Sequence, residues 1–209
     1  MSTRVKICGI TNTEDANASI ISGADAIGFV FVEQSPRFLS IEKAIEIVES
    51  LASVISIVGL FVNSSQKHIK HVIENVPIDY LQFHGDESET ECSLYNIPYI
   101  KSVPMKDNVD LLDYIDSYTS AEAFLLDSHT SGKLGGTGNV FDWDNIPKAI
   151  DVPIILAGGL TSSNVKTAVE KIRPYGVDVS SGVEYEKGIK DPQKIYEFIK
   201  EVKKADYVK

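Results

Sequence analysis

Short, nearly continuous apolar runs alternate along this chain with longer segments whose apolar positions recur every three or four residues. The short runs cover 4–9, 26–31, 55–62, 80–84, 99–103, 123–127, 153–157 and 176–180. Such runs of Val, Ile, Leu and Phe predict parallel strands covered on both faces. Between them, 41–51 carries apolar residues at 41, 44, 45, 48 and 51 with Glu and Lys in the gaps, the period of an amphipathic helix. Segments 164–172 and 192–202 behave alike, and the latter opens on Asp191-Pro192, a helix cap followed by proline in the first turn.

Eight strand–helix units share 209 residues, roughly 26 each, near the minimum for a βα repeat. No proline-rich or low-complexity linker divides the series. The expectation is an α/β chain forming a single-domain (β/α)8 TIM barrel over 1–209. A doubly wound sheet is disfavoured, because Cys8-Gly9-Ile10-Thr11 after the first strand lacks the glycine-rich dinucleotide turn. Gly23-Ala24-Asp25-Ala26 and Gly176-Val177-Asp178-Val179 read as related turns leading into their strands.

In such a barrel the chemistry sits at the C-terminal strand ends and in the loops after them. There the chain places Cys8, Ser35-Pro36-Arg37, Asn63, His84-Gly85-Asp86, Asp127-Ser128, Gly158-Gly159 and Ser180-Ser181-Gly182. Side chains alternate along a strand, so an inward Cys8 implies an inward Lys6. The same parity pairs Gln82 with His84, Leu125 with Asp127, and Asp178 with Ser180. Lys6 and Asp178 are therefore expected to meet inside the barrel, one layer beneath the site, first of all as a structural ion pair.

Two of these strand ends suggest phosphate binding. Gly158-Gly159 closes the seventh run ahead of Thr161-Ser162-Ser163-Asn164, and Ser180-Ser181-Gly182 closes the eighth. Loops after strands seven and eight recurrently hold phosphate in such barrels, on backbone N–H groups that glycine lets an anion approach. Cys8 is either a small buried hydrophobe or a reactive thiol; a thiol near its ordinary pKa of about 8.5 acts as a base when a neighbouring cation stabilises the thiolate. Asp127, after Ala123-Phe124-Leu125-Leu126, is either a loop cap or a partly desolvated carboxyl that keeps an acid proton. Arg37 is either a surface residue or a fork for a carboxylate. The glycines at 132, 135, 136 and 138 build either a lid that closes on substrate or an ordinary connection.

Composition narrows the partners. A net charge of −10 repels nucleic acid and anionic membranes, while local N–H groups still accommodate a phosphorylated small molecule. No signal-peptide core or stretch of 18 apolar residues occurs, so a cytoplasmic location is expected. Cys8 and Cys92 make no metal spacing or disulfide framework, and Cys92 reads as structural. The four histidines lack zinc-type clustering, and His68 and His71 read as a solvated helix face.

Taken in order, these residues resemble the phosphoribosylanthranilate isomerase family. The blocks are Lys6-Ile7-Cys8-Gly9-Ile10-Thr11, Gly28-Phe29-Val30-Phe31 with Ser35-Pro36-Arg37, Val58-Gly59-Leu60-Phe61-Val62-Asn63, and Leu81-Gln82-Phe83-His84-Gly85-Asp86-Glu87. Leu126-Asp127-Ser128, Gly135-Gly136-Thr137-Gly138, Leu156-Ala157-Gly158-Gly159-Leu160, Asn164-Val165 and Gly176 to Glu184 follow. The resemblance implies an Amadori rearrangement of N-(5-phosphoribosyl)anthranilate in tryptophan biosynthesis. It implies Cys8 as general base, Asp127 as general acid, Arg37 on the anthranilate carboxylate and His84 lining the pocket. No metal or organic cofactor is implied. A monomer or homodimer is expected, and the single-domain length suggests an isomerase that is not fused to a neighbouring pathway enzyme.

The rivals are another sugar-phosphate barrel, such as indole-glycerol-phosphate synthase, and a non-catalytic anion-binding barrel. The first calls for a lysine acid at a strand mouth and a longer N-terminal extension. Tight binding without turnover would mark the second.

Overall fold

The computed structural model describes residues 2–105, 109–128, 141–147 and 149–207. The 132–138 loop and its candidate lid lie outside these residues. Eight parallel strands close in sequence order, with β1 hydrogen-bonded to β8. They are β1 (Arg4–Cys8), β2 (Ala26–Val30), β3 (Ser56–Phe61), β4 (Tyr80–Phe83), β5 (Tyr99–Pro104), β6 (Ala123–Asp127), β7 (Ile154–Leu156) and β8 (Gly176–Val179). Each falls on one of the eight apolar runs. Closure leaves no free sheet edge and buries both strand faces, which is why the runs read as continuous rather than alternating.

The helices are less uniform than the strands. They are α1 (Thr13–Ser22), α2 (Ile41–Glu49), α3 (Gln66–Asn75), α4 (Glu89–Cys92), α5 (Leu111–Asp116), α6 (Val165–Ile172) and α7 (Pro192–Tyr207). Ser and Asx side chains start most of them; Ser40, Ser65, Ser88 and Asp110 each accept a backbone N–H of their own first turn. Between β6 and β7 the described residues hold only a 3-10 turn, Trp143–Asn145. After β8 the chain makes a 3-10 turn, Ser181–Val183, and then a small hairpin of β9 (Glu184–Glu186) and β10 (Ile189–Lys190) before α7.

Strand parity divides two cores. Outward residues such as Ile7, Ile27, Phe61, Leu81 and Phe83 pack against the helices, and stacked, tilted or edge-on rings join Phe31, Phe61, Phe83, Tyr95 and Tyr99. Inside the barrel, Val58, Ile100, Ala123, Leu125, Ile155 and Ala157 form a smaller apolar plug beneath the C-terminal mouth. Beside it the interior is polar, with Lys6, Gln82, Ser102 and Asp178 all buried.

Lys6 and Asp178 are register partners on β1 and β8, and their charged ends meet at 2.8 Å as parity predicts. The apparent kinship of the two Gly-x-Asp turns does not hold. Gly23 caps α1 in the left-handed region, and Asp25 sits before β2 accepting the Val5 N–H at 2.9 Å. Gly176 is already the first residue of β8, so Asp178 points into the interior instead. The true counterpart of Asp25 is Asp79, which sits before β4 and accepts the Ile57 N–H at 2.7 Å.

Candidate active site

The C-terminal mouth gathers the predicted side chains from β1, β4, β6, β7, β8 and the loop after β2. Cys8 ends β1 and is 5% exposed. Burial pushes its thiol above the ordinary value, while Lys6, within hydrogen-bond reach, and Lys190 pull the other way and Asp178 adds to the rise. The sequence left open whether a neighbouring cation stabilises the thiolate; cations are present, but desolvation prevails. Lys6 itself is held above its ordinary value, since Asp178 and Cys8 outweigh its own desolvation.

Asp127 ends β6 and is 8% exposed. Its Oδ2 lies 3.7 Å from His84 Nε2. On the other side of that ring, His84 Nδ1 lies 2.7 Å from Ser102 Oγ and 3.3 Å from the Gln82 amide nitrogen. The Gln82 amide nitrogen can only donate to Nδ1, and with the Ser102 hydroxyl donating there too we assign the ring proton to Nε2, on the Asp127 side. Gln82 and Ser102 thus orient His84, and His84 in turn confronts Asp127. Sequence parity found Gln82; Ser102 carried no motif and becomes visible only through its contact.

Gly158 belongs as much to Asp127 as to any phosphate. Its φ is +81°, and a Cβ there would lie 2.6 Å from both Ser128 N and Ser128 Oγ and 2.9 Å from Asp127 Oδ1. Only glycine lets the β7 loop pass under the Asp127-Ser128 turn. Gly159 follows, also at positive φ, and its carbonyl accepts Asn164 Nδ2 at 3.0 Å while Asn164 Oδ1 accepts the Thr161 N–H at 2.9 Å. Asn164 therefore braces the β7–α6 loop. Gly182 presses against this loop so closely that a Cβ would overlap the Leu160 carbonyl oxygen. Gly158, Gly159, Ser181 and Gly182 are thereby brought to one corner of the mouth. The Ser180 hydroxyl is not: with the Ser180 carbonyl it accepts from Lys190 Nζ, each at 3.2 Å.

Arg37 is buried, not a surface residue. Its Nε and Nη2 donate to Glu184 Oε1 and Oε2 at 2.6 and 2.8 Å, so one edge of the fork is closed. Lys190 Nζ shares Glu184 Oε1 at 3.0 Å. Desolvation would raise the Glu184 carboxyl, but Arg37 and Lys190 outweigh it and hold it below the usual range. For Lys190 desolvation wins, and its ammonium is held below its ordinary value. Glu184 closed a matching block without a role assigned, and Lys190 carried no signal in its sequence neighbourhood.

On the far side of β4, Glu87 fastens the loop after that strand. It accepts the Asn63 and Gly85 N–H groups at 2.6 and 3.0 Å and pairs with the fully buried Lys101 at 2.9 Å. Cys92 is fully buried and its thiol is pushed up to about 12 by burial, in keeping with a structural role. At the opposite, N-terminal mouth a cavity of about 410 Å³ is lined by Arg4, Ser56, Tyr80 and Glu122 and touches Lys6 from below. It reaches none of the groups at the C-terminal mouth. Among the described residues no group of three or more His, Cys, Asp or Glu is placed to hold a metal, and no helix is long and apolar enough to cross a membrane.

A buried thiol and a buried carboxyl at strand mouths, with glycine loops beside them, suit proton transfer on a small anionic substrate. The model of the N-(5'phosphoribosyl)anthranilate (PRA) isomerase family matches residues 5–201. An N-(5'-phosphoribosyl)anthranilate isomerase from Nitrosococcus oceani is 50% identical over 202 residues, covering 97% of this chain and 98% of the relative. Monomers generated from the dimeric phosphoribosylanthranilate isomerase of Thermotoga maritima superpose with a TM-score of 0.80 at 37% identity, covering 97% of this chain and 99% of that one. A phosphoribosyl anthranilate isomerase in complex with reduced 1-(o-carboxyphenylamino)-1-deoxyribulose 5-phosphate gives a TM-score of 0.78 at 37% identity, with the same coverages.

Proposed function

The chain belongs to the N-(5'-phosphoribosyl)anthranilate isomerase family, and from that premise we infer which of its residues carry the reaction. The activity is the isomerisation of N-(5'-phosphoribosyl)anthranilate, an aldose-to-ketose rearrangement in tryptophan biosynthesis. In our reading Asp127 is the general acid and protonates the furanose ring oxygen, opening the ring to a Schiff base. Cys8, as thiolate, is the general base and removes the C2 proton, giving an enolamine that tautomerises to the ketone. The observation that carries this division is the placement of Cys8 and Asp127 at the mouths of β1 and β6, both buried, in a chain matched to the family over nearly its whole length. Two protonation states in two different environments are what such a reaction requires.

The remaining roles follow from position. His84 lines the pocket with its Nε2 proton toward Asp127, which favours the carboxylate left after proton donation. Arg37 receives the anthranilate carboxylate on the part of its fork that Glu184 leaves open. Gly158, Gly159, Ser181 and Gly182, with the backbone of Ser180, supply N–H groups for the phosphate. Residues 1–209 act as one barrel domain in the cytoplasm, as a monomer or homodimer and without a cofactor. Both assembly forms are described for the Thermotoga maritima relative.

The direct test is turnover by the purified protein of phosphoribosylanthranilate made in situ, followed by appearance of the ketose isomer. Absence of product from a verified substrate would refute the assignment. The phosphate corner has its own test. Gly182→Ala forces a Cβ into the Leu160 carbonyl, so the two loops must part. KM is expected to rise about tenfold or more while kcat changes less, because uniform binding is lost. A KM equal to that of the parent would remove Gly182 from the phosphate site.

A further inference from the structure

The buried charges around Cys8 are unevenly shared. Lys6 and Asp178 form one neutral pair, 2.8 Å apart. The single carboxylate of Glu184 is shared by two cations, Arg37 at 2.6 Å and Lys190 at 3.0 Å. Three acceptors surround Lys190 Nζ, namely Ser180 O, Ser180 Oγ and Glu184 Oε1, which accounts for the three protons of an ammonium. The Lys190 side chain is wholly buried and Glu184 nearly so, so water screens this group poorly. Arg37 and Ser180 both close on Gly9, the residue after Cys8, which brings this group up to the loop that carries the thiol. A third buried carboxylate, Asp15, accepts the Lys190 backbone N–H at 2.7 Å and the Asn12 side-chain amide at 2.9 Å, on the main-chain side of Lys190 rather than at its ammonium.

We propose that Lys190 and Glu184 are positioning residues for the reaction: the hairpin after β8 carries a buried ammonium to Cys8 together with a carboxylate divided between that ammonium and Arg37, and the part of the ammonium's charge that this shared carboxylate leaves unscreened favours the Cys8 thiolate, whose proton leaves to solvent. This rests on Cys8 as the base, but it assigns work to two residues that touch no reacting atom. The hairpin thereby acts in the site although it is not one of the barrel strands. It also gives Glu184 opposite effects on its two partners. It steadies the guanidinium of Arg37, and it limits how much positive charge the thiol experiences. Of the other charged groups near this mouth, Asp15 on α1 takes the Lys190 N–H, while Asp127 at the end of β6 and His84 just after β4 face one another.

Changing the two residues separately moves the thiol in opposite directions. Lys190→Met removes a cation and leaves Glu184 to Arg37 alone. Glu184→Gln removes the anion, nearly preserves shape and leaves two cations unshared. The Cys8 ionisation midpoint is read from the ultraviolet thiolate absorbance across pH, each protein being blanked against the same protein carrying Cys8→Ala. The midpoint is expected to rise by about one pH unit in Lys190→Met and to fall by about one in Glu184→Gln. A purely structural role would lower stability in both without opposite shifts. Midpoints that stay with the parent, or that move together, would overturn the proposal. If Lys190→Met fails to fold, Glu184→Gln decides alone, and an unmoved or raised midpoint there overturns it. The readout needs no turnover, so it is separable from the assignment of Cys8 as base, which fails only if Cys8→Ala keeps its activity.

Discussion

Asp127→Asn is expected to lower kcat by about 10²- to 10⁴-fold with KM changed little, a loss of about 3–5 kcal/mol in transition-state stabilisation. The substitution isolates chemistry from packing. Asparagine has nearly the same shape, so the contact with Gly158 survives and the β7 loop has no reason to move. In the proposed reaction, what disappears is the proton that opens the ring. The amide still meets the His84 edge, and the groups proposed for the substrate's phosphate and carboxylate lie elsewhere. Steady-state kinetics with a thermal melt checks this: a collapse in kcat at unchanged Tm assigns the proton to Asp127. A near-parental kcat would take the acid role away from this residue.

Cys8→Ala is the second large effect, expected to reduce kcat by about 10²- to 10⁴-fold, again with modest change in substrate affinity. The thiol contributes little to the outer core, being grouped with Val30, Val32 and Leu60 near the mouth rather than with the residues under the helices. The fold should therefore tolerate alanine while the C2 proton loses its acceptor. The parent's pH profile supplies a further check. The active form of the base is deprotonated, so the limb governed by Cys8 rises with pH. Burial displaces the thiol upward, so that limb is centred above the ordinary thiol range, and activity falls away as pH drops through it. A Cys8→Ala variant that keeps normal turnover would dismiss the thiol.

These two expectations come from different kinds of information. The identity of Cys8 and Asp127 as mouth residues was legible from local order alone: a buried strand alternates its faces, and the last residue of each run lies where barrels put their chemistry. The same rule brought Lys6 to Asp178 and Gln82 to His84. Where the pattern was matched without register it misled, as with Gly23 and Gly176, one at a helix cap and the other inside a strand.

By itself, the sequence determined the eight strands, their parity, the barrel class, the family and the two residues at the mouths of β1 and β6. These depend on periodicity and on neighbours in the chain, which a string of residues records directly. Only the tertiary structure decided what surrounds them. Closure of β1 on β8 joined positions 172 residues apart, and the Arg37–Glu184 pair spans 147. It closed one edge of the Arg37 fork, turned the Ser180 hydroxyl to Lys190, made Gly158 a support for Asp127 and let desolvation prevail over Lys6 at the Cys8 thiol. Charge and burial act through space and fall with distance between atoms, not between positions in the chain. A lysine such as Lys190, in a two-residue strand of no distinctive composition, joins this cluster only when the fold removes its water and sets it beside Glu184.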